Sequence, residues 1–260
     1  MKHMKRKVER IASEIASRLM SWENVDTVCL SPFTESDPND PYFFISIDVY
    51  FRDKLPEIPE REKLFRDAGG IESSVFSMKD RFFMEDLPVR LEYKDMDKID
   101  RILENPIDNL ANFRQGGTYM FYRIQTGIML ETRSPWLSEA QEKLSSLPDT
   151  FWKLLAYSWQ ATLEHYLTDI QAAVLHNDTL FYMLSLSGFI KSLCSMLFVM
   201  NHTFESSGRF LHDHVLHLSV LPENFKGLFE GLISLDPDFS PARKEEIAEH
   251  IVRSLLPVLL

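Results

Sequence analysis

Cysteine is nearly absent: Cys29 and Cys194 are the only two in 260 residues, too few and too far apart for a disulfide framework or a zinc site. A reducing, cytoplasmic setting is the expectation that follows. Glycine is scarce as well, nine against thirteen prolines, which excludes collagen-like and linker-like chains. Basic residues are outnumbered: 28 lysines and arginines face 39 acids, a formal net charge of −11. So acidic a chain repels a polyanion, and its one basic cluster (Lys2, Lys5, Arg6, Lys7) sits at the start, so DNA is not an expected partner. Long uncharged apolar runs are missing, with one exception. Leu180 to Met200 carries a single charge, Lys191, and has the length to cross a bilayer. Ser185, Ser187, Ser192 and Ser195, with Gly188 and the mid-segment lysine, point instead to a buried helix of a bundle, and no membrane partner is expected.

What is present changes character near residue 145, and the length suits two domains. Before that point, short apolar runs alternate with Pro, Gly and Asp clusters. Val8, Ile11, Ile15 and Leu19 recur at helical spacing, so 4–21 reads as an amphipathic helix. Val25 to Leu30 is a buried strand, and Ser31 to Pro41 a loop. In the next strand, Tyr42 to Phe51, Ile45, Ile47 and Val49 alternate with Ser46 and Asp48. Residues 54–70, punctuated by Pro56 and Pro59, end at Gly69-Gly70 and are expected to hold a helix over about Glu60 to Asp67; a strand follows within Phe76 to Met84, and Pro88 to Lys94 alternates Val89, Leu91 and Tyr93 with Arg90 and Glu92. Asp97 to Glu104 and Ser138 to Leu147 read as helices. Five more are expected at about 150–176, 179–203, 207–219, 222–234 and 241–258, the last opened by Ser240-Pro241.

Two carboxylates at i and i+2 of a strand share a face, about 7 Å apart, and can hold two divalent cations on a nucleoside triphosphate. A third carboxylate on a neighbouring strand completes such a cage, and a small-residue turn after the preceding strand lets the backbone approach the phosphates. The order here (helix, strand, turn, strand with Asp48, later strand with Glu92) resembles the minimal nucleotidyltransferase fold. In detail the chain resembles bacterial two-domain nucleotidyltransferase-like proteins, in which that domain precedes a helical one. Val25 to Leu30 matches the family's first strand, and Asp40-Pro-Tyr42 with Ile45-Ser-Ile-Asp-Val49 its metal-binding segment. Val89-Arg-Leu-Glu-Tyr-Lys matches the third catalytic strand, and Arg123 to Glu131 the link into the helical domain. Leu197-Phe-Val-Met-Asn201, Thr203-Phe204 and Arg209-Phe210 match the helical-domain signature.

The resemblance implies an α+β fold: a nucleotidyltransferase-like mixed sheet with flanking helices over 1–110, a connecting segment over 111–134, and an all-α bundle over 135–260. It implies Mg²⁺-dependent transfer of a nucleotidyl group from an NTP to a hydroxyl acceptor. Asp48 would be the remaining metal ligand and catalytic carboxylate, Glu92 the substitute carboxylate, and Ser31, Ser46 and Arg90 the nucleotide contacts. The chain departs from the pattern at three places. Ser31-Pro32 stands where the family has Gly-Ser, Ser46 where the first metal carboxylate belongs, and Arg90 where the simplest register puts the third. An Arg90–Asp48 ion pair replacing the metal is the expectation, with activity reduced or lost. The alternatives are a non-catalytic nucleotide-binding or regulatory protein and, from Arg209 and His214, an RNase-like helical module. His202, His212, His214 and His217 fall on divergent helix faces, awkward for a metal. Gly116-Gly117 reads as a plain loop, and Trp152, Tyr157, Trp159 and Tyr166 as bundle packing.

Overall fold

A computed structural model of the chain describes residues 2–31, 40, 42–74, 76, 78–114 and 118–259. Pro32, most of the loop to Pro41 and the Gly116-Gly117 turn lie outside the described residues. The chain divides into two compact units, Met1–Pro106 with Arg123–Ser146, and Ile107–Tyr122 with Leu147–Leu260.

The first unit holds α1 (Lys2–Leu19), β1 (Val25–Leu30), β2 (Ile45–Phe51), α2 (Ile58–Leu64), β3 (Gly69–Ser74), β4 (Lys79–Met84), β5 (Leu87–Asp95) and α3 (Met96–Glu104). After an excursion through the second unit, the chain returns with β6 (Ile128–Thr132) and α6 (Trp136–Ser145). The strands form one mixed sheet in the order β3-β4-β5-β2-β1-β6. Only β2 and β5 run parallel; the other neighbours are antiparallel. Strand alternation sends Ile45, Ile47, Val49 and Phe51 to one face, where Val8, Ile11, Ile15 and Leu19 of α1 bury against them. Ser46, Asp48 and Tyr50 go to the other face, also buried.

Two boundaries differ from the sequence reading. Gly69-Gly70 opens β3 instead of only closing the segment before it, with Gly70 at φ +60° as the strand begins. Residues 111–134 are not a connector. Their first part belongs to the helical unit, and β6 pairs with β1 as an edge strand of the sheet, so the first unit continues to Ser146.

The second unit contains α4 (Leu110–Arg114), α7 (Asp149–Leu175), α8 (Thr179–Met200), α9 (Leu211–Leu216), α10 (Phe225–Ile233) and α11 (Pro241–Leu259). Helix α5 (Tyr119–Thr126) starts in this unit and finishes in the first. Phe113 stacks on Phe121 at 4.1 Å and meets Phe151 edge-on at 4.8 Å. Trp152 and Trp159 are buried, so these aromatics pack the unit. Asn177 at φ +52° turns the chain from α7 into α8, and the Asp178 carboxylate accepts the Phe181 amide at 3.0 Å as an N-cap. The two helices touch closely: a Cβ on Gly188 would come within 2.3 Å of the Tyr166 ring. Helix α8 has the length and apolarity to cross a membrane, but 56% of its apolar window is buried within the protein, as in the core helix of a bundle.

Glu205 is a buried acid of this unit. The Ser195 hydroxyl donates to its Oε2 at 2.8 Å, and its own amide donates to Thr118 Oγ1. Burial raises its pKa above the ordinary carboxylate value, offset only in part by Ser195 and the charge of Lys191. The folded protein therefore holds this proton more tightly than the unfolded chain does. Stability is higher below the unfolded carboxylate pKa and falls as pH rises from there toward the folded value. Glu205→Gln keeps an acceptor for Ser195 and removes the charge. It is expected to raise the melting temperature at pH 8 and leave it unchanged at acid pH, as read by thermal unfolding across a pH series.

Candidate functional site

The polar face of the sheet is assembled by register. In the parallel β2–β5 pair, Ser46 lies beside Arg90, Asp48 beside Glu92, and Tyr50 beside Lys94. Antiparallel β1 sets Cys29 opposite Asp48, and antiparallel β4 sets Lys79 opposite Glu92 and Arg81 opposite Arg90. Helix α5 adds Arg123, which is almost fully buried.

Asp48, 0% exposed, is at the centre. Arg123 Nε donates to its Oδ2 at 2.8 Å, and Arg123 Nη2 and Lys94 Nζ each lie 2.8 Å from its Oδ1. The same guanidinium donates from Nη2 to Ser46 Oγ at 2.9 Å and stands 3.2 Å, through Nη1, from Glu92 Oε2. Lys79 Nζ approaches the other Glu92 oxygen at 3.4 Å. Three cations thus engage two carboxylates and a hydroxyl, with Arg123 touching all three acceptors.

This arrangement corrects the expected ion pair. The cations on Asp48 are Arg123 and Lys94; Arg90 lies level with Ser46, its guanidinium 4.1 Å from the centre of the Phe44 ring. Glu92, not Arg90, stands in register with Asp48, so the neighbouring-strand carboxylate is in place. Ser31 and Ser46 are both buried, with the Ser31 amide donating to the Ser46 carbonyl at 2.8 Å.

The electrostatics follow from burial and these contacts. Burial opposes the charge of Glu92, yet Arg123, Lys79 and Lys94 outweigh it and hold the carboxyl below its usual range. For Lys94, burial and the like charge of Arg123 outweigh the attraction of Asp48, and the ammonium pKa is lowered. Burial, then Asp48, pushes the Cys29 thiol up to about 12, so this cysteine is no nucleophile. The buried Tyr50 phenol is raised for the same two reasons.

A hard dication needs several oxygens free of competing cations. Here Asp48 and Glu92 are already ion-paired and Ser46 accepts from Arg123; Asp48 Oδ1 lacks a hydrogen bond of good geometry, but Mg²⁺ beside it would sit against Arg123 and Lys94. Among the described residues no group of three or more His, Cys, Asp or Glu is placed to hold a metal. The donor set does not fit Mg²⁺.

The histidines do not converge on one point, although two of them contact Asp213. His212 bridges Asp213 (3.1 Å) and Glu230 (2.9 Å), which raise its pKa. His217 contacts the Asp213 carbonyl at 2.6 Å, His202 stacks on Trp152 at 5.3 Å, and His214 lies near the Phe210 ring at 6.1 Å.

Sequence reasoning missed Arg123 and Lys94 as members of this centre. The signals were present. Arg123 is the sole charged residue from 118 to 130, a lone cation in an apolar stretch, and Lys94 continues the alternation of Arg90 and Glu92.

No family model and no curated protein matches the sequence. Among solved structures, the chain is similar to the crystal structure of a nucleotidyltransferase-like protein from Exiguobacterium sibiricum 255-15. The two share 13% identity over 96% of this chain and 76% of the other, with a TM-score of 0.53. The likeness establishes the fold, an α+β nucleotidyltransferase-like sheet unit followed by a helical region.

Proposed function

We propose that this nucleotidyltransferase-like protein is a non-catalytic binding or regulatory protein that takes a nucleoside triphosphate without Mg²⁺. One observation carries the reading: Arg123 and Lys94 sit on the Asp48 carboxylate, where a transferase of this fold would bind metal. A guanidinium and an ammonium can neutralise phosphate charge. They do not lower the pKa of an attacking hydroxyl as a Lewis acid does, and Asp48, buried and doubly ion-paired, is not available as a base. Nucleophile activation is thereby lost, so a hydroxyl acceptor has no part in the function, and the phosphates are left to the outer cations of this face. Toward the outside of the same face lie Lys79, Arg81 and Arg90. Arg81 and Arg90 are directly opposite one another, with Glu72 on β3 opposite Arg81.

Thermal unfolding with ATP, GTP, CTP or UTP, each with and without Mg²⁺, tests the proposal. At about one hundred times Kd the bound nucleotide adds about 2.7 kcal/mol. The expected rise in melting temperature is the same with Mg²⁺ as with a chelator, and labelled NTP leaves no label on the protein or on added acceptors. A rise that requires Mg²⁺, or transfer of label, would reject the reading.

A further inference from the structure

Strand β4 carries an uncovered aromatic ring on the polar face of the sheet. Its side chains alternate: Asp80, Phe82 and Met84 are buried on the hydrophobic side, while Lys79, Arg81 and Phe83 stand on the face of Asp48 and Glu92. Phe83 is 52% exposed. Its neighbours across the strands are Gly69 on β3, which has no side chain, and Pro88 on β5. A Cβ on Gly69 would lie 3.6 Å from the Phe83 Cβ, and one on Gly70 would lie 4.0 Å from Cδ2, so the two glycines keep this flank low. Two residues along the strand, Arg81 is exposed and engages no ion pair or hydrogen bond among the described residues, although Glu72 stands opposite it. Lys79, two residues further, reaches Glu92 at 3.4 Å. The Arg90 guanidinium lies 4.1 Å from the centre of the Phe44 ring, so that ring is covered where Phe83 is open.

The geometry points to Phe83 as the seat of the nucleobase, stacked on the open ring, with the phosphates running over Arg81 toward Lys79. This placement rests on the Mg²⁺-independent nucleotide binding proposed above and says how that face recognises its ligand. Along the strand, Arg81 is about 7 Å and Lys79 about 14 Å from Phe83, the span of an extended nucleoside triphosphate. An exposed ring beside an unpaired guanidinium complements a molecule that is aromatic at one end and anionic at the other. An apolar partner would cover Phe83 but take Arg81 out of water with no ion pair. A polynucleotide shares both features of the ligand but must approach a chain of net charge −11. Gly69, Gly70 and Pro88 offer the base no side-chain hydrogen bond, so it is held by stacked area, which is larger for a purine than for a pyrimidine.

Calorimetric titration of the full chain in EDTA with ATP, GTP, CTP, UTP and inorganic triphosphate is the test. ATP is expected to bind about 5- to 150-fold more tightly than inorganic triphosphate, the worth of one base–aromatic stack. ATP and GTP should bind alike and ahead of CTP and UTP. Phe83→Ala, at an exposed position, should bring ATP down to the level of inorganic triphosphate and leave triphosphate itself unchanged. Phe83→Trp should restore the difference. Arg81→Ala should weaken ATP and triphosphate by the same factor, which separates charge from stacking. Melting temperatures establish that each variant is folded. Equal binding of ATP and inorganic triphosphate, or ATP binding indifferent to Phe83→Ala, would overturn the stacking seat and leave Mg²⁺-independent nucleotide binding standing. So would tighter binding of CTP or UTP than of ATP, or a loss of triphosphate binding in Phe83→Ala. A wild type that takes none of the four nucleotides in EDTA would overturn both.

Discussion

Arg123→Ala is expected to cost about 3–5 kcal/mol of folding stability, the loss typical of removing one partner from a buried ion pair. The truncation leaves Asp48 with no solvent and with Lys94 as its one remaining direct cation among the described residues. Ser46 loses a donor, while Glu92 keeps Lys79. Urea denaturation followed by circular dichroism measures the change. Arg123→Lys should fall between wild type and alanine, because an ammonium keeps the charge but cannot span Asp48, Ser46 and Glu92 with one planar fork. Asp48→Asn combined with Arg123→Met should recover only part of the loss, since the buried Lys94 ammonium then loses its carboxylate, and adding Lys94→Met should recover more. The alanine variant also bears on function. With the guanidinium gone, Ser46 is released and Asp48 and Glu92 each keep one lysine, so a cation has one competitor fewer, and Mg²⁺ should raise the melting temperature of Arg123→Ala while leaving the wild type unmoved. A loss below about 1 kcal/mol, the worth of a surface pair, would mean that Arg123 is not the keystone of this face.

Why the sequence pointed to Arg90 in that role is a matter of register. Alternation along β2 and β5 puts Ser46, Asp48, Arg90, Glu92 and Lys94 on one side of the sheet, and the structure has them there. Alternation does not say which residue lies opposite which. A slip of two residues keeps every side chain on its face and exchanges all its neighbours. In this chain, α2 and the β3–β4 hairpin intervene before β5 comes to lie beside β2, so no short turn ties the two strands together. The pairing instead follows from packing on the far face, where Ile47 lies beside Leu91. Arg123 is harder still to place, being 75 residues from Asp48 and at the start of a segment that reads as the link into the helical domain.

The same distinction separates the other elements. Val25–Leu30 and the long C-terminal helices are periodic and bounded by turn residues, and the expected spans match α7, α8 and α11 within about three residues. The β4–β5 hairpin is different: Met84 pairs with Leu87 across Glu85 and Asp86, both at positive φ. Such turns usually advertise themselves as Asn-Gly or Asp-Gly, and Glu-Asp gives no such notice. Strand β6 owes its form to pairing with β1, about a hundred residues earlier, which no local pattern encodes.

Asp80 offers a comparable energetic test on the opposite face of the sheet. It is wholly buried on the hydrophobic side, opposite Leu91, where Arg61 Nη1 donates to one oxygen at 2.9 Å and the Tyr93 hydroxyl to the other at 2.6 Å. Burial and the Asp80 charge raise the Tyr93 phenol well above its ordinary pKa, so Tyr93 keeps its proton and acts as the donor. Arg61 lies over the Tyr93 ring at 5.1 Å, and its Nε has no hydrogen-bond partner. Asp80→Ala would strand a buried guanidinium and a buried phenol together, and the expected loss is about 3–5 kcal/mol. Tyr93→Phe removes a single bond to a charged acceptor and should cost about 1.5–3 kcal/mol. The double variant should lose less than the sum, because Tyr93 has nothing left to donate to once Asp80 is gone. Arg61→Met with Asp80→Leu and Tyr93→Phe should return close to wild type, since no polar group of the cluster is then left buried without a partner. None of these changes touches the Asp48 face. The nucleotide response of any variant that folds should therefore be intact, whereas Arg123→Ala alters both stability and response to Mg²⁺. If Asp80→Ala abolished nucleotide binding while remaining folded, the two faces of the sheet would not be energetically separate, and ligand recognition could not be assigned to the Asp48 side alone.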